Sequence, residues 1–88
     1  ALKVRLRGGS LWLSGSVSEL SIHEYVKWVT VFAGDAGEYG CTGTVLGNAP
    51  VNDSGRFVFR QQDANVTPGS KICVQSQISG FAAITAGP

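Results

Sequence analysis

The chain has no methionine, a single histidine, two cysteines and few charged residues (15%). Each shortage excludes something. One histidine, His23, and no cysteine pair at ligand spacing leave no set of groups for a zinc site, so no metal is expected. Seven Lys and Arg against six Asp and Glu give a net charge of +1. That falls short of the basic excess that marks nucleic-acid binders, so no nucleic-acid partner is expected. No stretch approaches the roughly 18–20 consecutive apolar residues that a membrane-crossing helix needs, so no membrane insertion is expected. The nucleophile-elbow pattern Gly-x-Ser-x-Gly is also missing. Gly15-Ser16-Val17-Ser18 comes close and lacks the final glycine. His23 beside Glu24 is the one acid–base pair to weigh, and a solvated loop is its ordinary reading. The expectation is a chain that is not an enzyme and carries no cofactor.

What is there points to strands. Twelve glycines, with many Thr, Val and Ser, favour short strands and frequent turns over helices. Leu2 to Arg7 alternate apolar and basic, which puts Leu2, Val4 and Leu6 on one face and Lys3, Arg5 and Arg7 on a solvated one. Gly8-Gly9 suits a two-residue hairpin turn. Ser10 to Val17 follows, with Leu11 and Leu13 sharing a face and Trp12 on the other. Ser18 to Glu24 is too short for a free-standing helix and reads as a connection crossing between sheets. Tyr25 to Ala33 is the strongest strand, apolar on both faces, as a central strand is. Gly34 to Gly40 reads as a loop, and Cys41 to Leu46 as a strand ending at Gly47-Asn48. Pro50 marks an extended edge.

Asn52 to Arg60 is the most legible stretch. Asp53, Ser54 and Gly55 are turn formers. Phe57 and Phe59 then face the core, with Arg56, Val58 and Arg60 outward. Thr67-Pro68-Gly69-Ser70 fits a type II turn. Lys71 to Gln77 and Phe81 to Thr85 complete seven strands. Such spacing predicts one all-β domain over 1–88, an antiparallel β-sandwich.

Cys41 and Cys73 are an even count in a small β-rich chain, and the first reading is a disulfide. It closes a loop of about 33 residues and is worth up to ~3.7 kcal/mol in the chain-entropy picture. The other reading is two buried thiols behaving as small apolar residues.

Val29-Thr30-Val31-Phe32-Ala33-Gly34, Gly43-Thr44-Val45-Leu46-Gly47, Asp53-Ser54-Gly55-Arg56-Phe57-Val58-Phe59 and Thr67-Pro68-Gly69-Ser70-Lys71-Ile72-Cys73-Val74 together resemble bacterial Ig-like modules of secreted and cell-surface proteins. The resemblance covers about residues 25–76. It implies an Ig-like or fibronectin-type sandwich, excised from a larger protein that is extracellular, periplasmic or at the cell surface. The implied role is that of a spacer or accessory domain, with neighbouring domains or other surface proteins as partners and no catalytic residues to carry over. The antibody pattern, with a Trp between two cysteines, does not fit, because Trp28 precedes both Cys41 and Cys73. By parity Cys73 faces away from Ile72 and Val74, so the bridge is expected to pin a loop or an outer sheet face.

Two candidate sites follow. Trp12, Tyr25, Trp28 and Tyr39 form a candidate stacking platform for a polysaccharide, which makes a carbohydrate-binding module the alternative function. The competing reading puts Trp28 in the core and Trp12 over a sheet edge. Asp35 and Glu38 are weighed for calcium and fall short, since that ion takes six to eight oxygen ligands. A subunit joined to others through edge strands is the weaker third reading. The sequons at Asn52 and Asn65 are read as coincidence.

Overall fold

Alternation of side-chain character decides which way each strand faces, and two antiparallel sheets result. The computed structural model describes residues 2–7, 9–20, 26–62, 66–76 and 80–86. The strands are β1 (Lys3–Arg7), β2 (Ser10–Ser16), β3 (Trp28–Ala33), β4 (Thr44–Pro50), β5 (Arg56–Gln61), β6 (Lys71–Ser76) and β7 (Phe81–Thr85). One sheet has the order β1-β2-β5 and the other β4-β3-β6-β7. A 3₁₀ turn at Val17–Leu20 opens the first crossing between them. Every strand pair is antiparallel, and the expected β-sandwich is the fold.

The core lies between the sheets. Leu11 and Leu13 of β2 and Phe57 and Phe59 of β5 meet Val29 and Val31 of β3 and Ile72 and Val74 of β6, all buried. Each such side chain contributes about 1.5–3 kcal/mol when fully buried. Leu2, Val4 and Leu6 pack against this core only partly, because β1 is an edge strand. Val4 pairs with Leu13 and Leu6 with Leu11, the hairpin face that the alternation implies.

The turn into β5 is held by a residue outside the expected trio. Asn52 Oδ1 accepts hydrogen bonds from the backbone N–H of Ser54 and of Arg56, both at 2.9 Å. Gly55 supplies the positive φ of +77° and donates its N–H to the Asn52 carbonyl at 2.9 Å. The Thr67-to-Ser70 turn forms as expected. Gly69 has φ +91°, and the Ser70 N–H donates to the Thr67 carbonyl at 3.1 Å.

Several boundaries differ from expectation. Val17, the expected end of β2, begins the 3₁₀ turn instead, and β3 starts at Trp28, with Val26 and Lys27 ahead of it outside the strand. The strand that was to run from Cys41 and stop at Gly47-Asn48 instead starts at Thr44 and continues through both residues to Pro50. Gly47 pairs with Val31 on the inner face, and a Cβ there would lie 3.0 Å from Cε1 of Phe59. Glycine inside the strand leaves room for a ring from the opposite sheet, which a Cβ would push back by a few tenths of an ångström. Val31 pairs with Gly47 but Phe32 with Val45, which leaves Leu46 as the extra residue of a bulge. The Leu46 carbonyl accepts from Nε2 of Gln61 at 3.4 Å. Pro50 does lie on an edge strand, as proline must. Tyr25, the expected start of β3, lies outside the described residues, and so do His23 and Glu24.

Candidate functional site

Cys41 and Cys73 form a disulfide, with their Cα atoms 5.6 Å apart. Cys73 points away from the core, opposite in parity to Ile72 and Val74, yet it is fully buried. The cover comes from the loop between β3 and β4. There the Thr42 N–H and Oγ1 both donate to the Asp35 carbonyl, at 2.8 and 2.9 Å. The Gly37 N–H donates to Gly40 at 2.7 Å, and the Cys41 N–H donates to Oε1 of Gln75 on β6 at 3.0 Å. The bridge thus pins this loop onto the outer face of the four-stranded sheet, the placement inferred from parity. Asp35 Oδ1 accepts from the Ala36 N–H at 2.7 Å. Among the described residues no three of His, Cys, Asp and Glu gather into a group that could hold a metal ion.

The loop closes on a neck of two glycines. A Cβ on Gly34 would fall on the Thr42 carbonyl oxygen, and one on Gly43 on the Ala33 carbonyl oxygen. Gly43 has φ +101° and Gly69 φ +91°, but a Cβ on Gly69 would meet open space. Alanine at either position meets a similar φ penalty, so their difference isolates the clash. Gly69→Ala is expected to cost about 1 kcal/mol, and Gly43→Ala about 2–3 kcal/mol more, measured by urea unfolding. Equal losses would show that the neck is not a close backbone contact.

The aromatic residues do not assemble into one platform. Trp28 is outward on β3 and 42% exposed, so it is not part of the core. Tyr39 stands on the pinned loop at 89% exposure. Trp12 is outward on β2, the middle strand of the other sheet, and so covers no edge. Trp12 and Trp28 therefore face opposite sides of the sandwich. Tyr25 lies outside the described residues.

The outer face of β1-β2-β5 gathers charge instead. Lys3, Arg5 and Arg7 of β1 and Arg56 and Arg60 of β5 are all exposed on it. Arg5 pairs with Trp12, and Trp12 with Arg60, so the indole lies in a cross-strand row between two arginines. The Arg5 guanidinium carbon is 5.5 Å from the Trp12 ring centroid, within cation–π range. Ser10, Ser14 and Ser16 share the outward face of β2 between the two basic strands, and Ser14 and Ser16 line a shallow cleft beside Trp12 with Lys3, Arg56 and Val58. No outward strand position on this face carries a carboxylate. Five of the seven cations sit here, leaving two cations against six carboxylates in the rest of the chain. The near-neutral net charge conceals this clustering of cations. The readable signal was the shared outward parity of Arg56 and Arg60, which becomes a site only once β5 is known to pair with β2.

Comparison with protein-family models, with curated proteins and with solved structures returns no match.

Proposed function

We propose that this domain is a non-catalytic interaction module of an extracellular or cell-surface protein, of the Ig-like, fibronectin-type kind. The observation that carries the reading is the exposure of Trp28 and Tyr39 on the side of the four-stranded sheet where the disulfide pins its loop. Aromatic residues are enriched in protein interfaces. Val45, 57% exposed, and Pro50 add to that outer surface. The disulfide favours an oxidising compartment. The strand order supports the type of sandwich. The first, second and fifth strands form one sheet, and the third, sixth and seventh the other, as in immunoglobulin domains. The fourth strand joins the third rather than the fifth, which separates it from the constant-domain arrangement.

The test has two arms. The protein is recovered from its native source with thiols blocked, and the expected product is a peptide pair linked through Cys41 and Cys73. Two alkylated thiols would remove the extracellular assignment. Trp28→Ser with Tyr39→Ser is then compared with the parent by crosslinking on intact cells. Loss of crosslinked partners is expected, with stability changed by no more than about 1 kcal/mol. Unaltered crosslinking would remove the interaction role from this surface.

A further inference from the structure

We propose that the outer face of the three-stranded sheet binds an acidic polysaccharide. Trp12 stacks on a sugar ring, and Arg5 and Arg60 take carboxylate or sulfate groups on either side of it. This rests on the extracellular-module reading above and adds to it a second face and a ligand class.

The spacing comes from the sheet itself. Neighbouring strands lie about 4.8 Å apart, and alternate residues of one strand about 6.8 Å apart. Arg5 and Arg60, one strand to either side of Trp12, therefore have their backbones about 10 Å apart. Lys3 and Arg7 continue the basic row along β1, and Arg56 along β5. A linear chain lying along β2 would have cations on both flanks and an indole beneath it. Four of the five cations are arginines, whose planar fork binds carboxylate and sulfate through two parallel hydrogen bonds. The serines of β2 offer hydroxyls that can donate to or accept from sugar hydroxyls.

Two other polyanions fit less well. Proteins that hold single-stranded nucleic acid stack successive bases on several aromatic rings, and among the described residues the outward strand positions of this face carry one, Trp12. An anionic membrane surface calls for several apolar side chains that enter the lipid, and among the described residues the outward strand positions of this face offer Trp12 and Val58 among serines and cations. A disulfide-bearing domain also meets polysaccharide in the compartment where its bridge persists.

The experiment uses the oxidised protein carrying Trp28→Phe, which leaves Trp12 as the sole indole. It is titrated with heparin, polygalacturonate and dextran, and separately with oligothymidylate and phosphatidylglycerol vesicles, followed by tryptophan fluorescence and calorimetry. A saturable change with heparin or polygalacturonate and none with dextran is expected, weakening as salt rises. A preference for heparin identifies sulfate as the recognised group, and one for polygalacturonate identifies carboxylate. Arg5→Ala and Arg60→Ala should each weaken binding by on the order of tenfold. Both positions are exposed, so these variants keep the test readable even where Trp12→Ala fails to fold. Lys71→Ala, on the other sheet, should change nothing. No binding to either acidic polymer, binding indifferent to both arginines, or binding of DNA or vesicles as tight as of polysaccharide would overturn the proposal. A failed titration with the Cys41–Cys73 bridge present in the native protein leaves the module reading standing. Free thiols in the native protein would remove the basis of both.

Discussion

Phe57→Ala is expected to lower the unfolding free energy by about 3–5 kcal/mol, while Val58→Ala one residue on changes it by no more than about 0.5 kcal/mol. Phe57 is the largest of the fully buried side chains, and Val58 is 46% exposed. The cost at Phe57 belongs at the upper part of its range because of its neighbours. Its cross-strand partner on β2 is Gly15, which has no side chain to fall into the void. Its other backbone contact is an isolated bridge to Val51, beside the turn that Asn52 fixes. Domains of this kind are stable by only about 5–15 kcal/mol, so the alanine variant is expected to be marginally folded. Phe57→Leu, which retains most of the volume, should lose less than about 1.5 kcal/mol and gives a measurable intermediate. Chemical unfolding with a constant m value checks the series. A Val58→Ala loss equal to that of Phe57→Ala would contradict the assignment of inner and outer faces on β5.

Those faces could be read from the chain because a strand's side chains alternate strictly. Arg56, Val58 and Arg60 outward and Phe57 and Phe59 inward follow from that rule alone, and the structure agrees. So do the facing rows of β1 and β2, whose register pairs Val4 with Leu13 and Leu6 with Leu11. Parity alone also places Cys73 on the outer face, with Ile72 and Val74 inward. The end of β4 was not legible, since a glycine-asparagine pair is a local stop signal. The close approach at position 47 comes from the ring of Phe59, a residue of the opposite sheet. The role of Asn52 is hard to read from the chain for a related reason: it depends on two N–H groups that converge only after the turn has closed.

The surfaces were less legible than the core. Parity relates residues within one strand and does not say whether outward positions of two strands share a side of the molecule. Trp12 and Trp28 share a residue type and are separated by the sandwich. Lys3, Arg5 and Arg7 look like an ordinary solvated row when taken alone. Their meaning changes when β2 brings Arg56 and Arg60 to the same side, a pairing between residues 40 and 48 positions apart (Ser16 with Arg56, Trp12 with Arg60). Net charge could not reveal this, because it sums over both faces.

Replacing Cys41 and Cys73 together by alanine is expected to cost about 3.7 kcal/mol through the unfolded chain alone, given their separation of 32 residues. At about 4–8 °C per kcal/mol for a domain of this size, the melting temperature should fall by about 15–30 °C. The sulfur of Cys73 is fully buried, so truncation adds a packing loss that reduction without substitution avoids. Comparing reduced parent with double variant therefore separates the cross-link from the volume. The local consequence differs from the global one. With the bridge gone, the loop keeps the Cys41–Gln75 hydrogen bond and the Ala36–Cys41 bridge, while the pairing of β3 with β6 does not depend on it. Hydrogen exchange should quicken first at residues 35–42, well ahead of Val29–Ala33. A loss below about 1 kcal/mol, with exchange unchanged in that loop, would mean that its own hydrogen bonds hold it. The bridge would then add nothing that the glycine neck and Gln75 do not already supply.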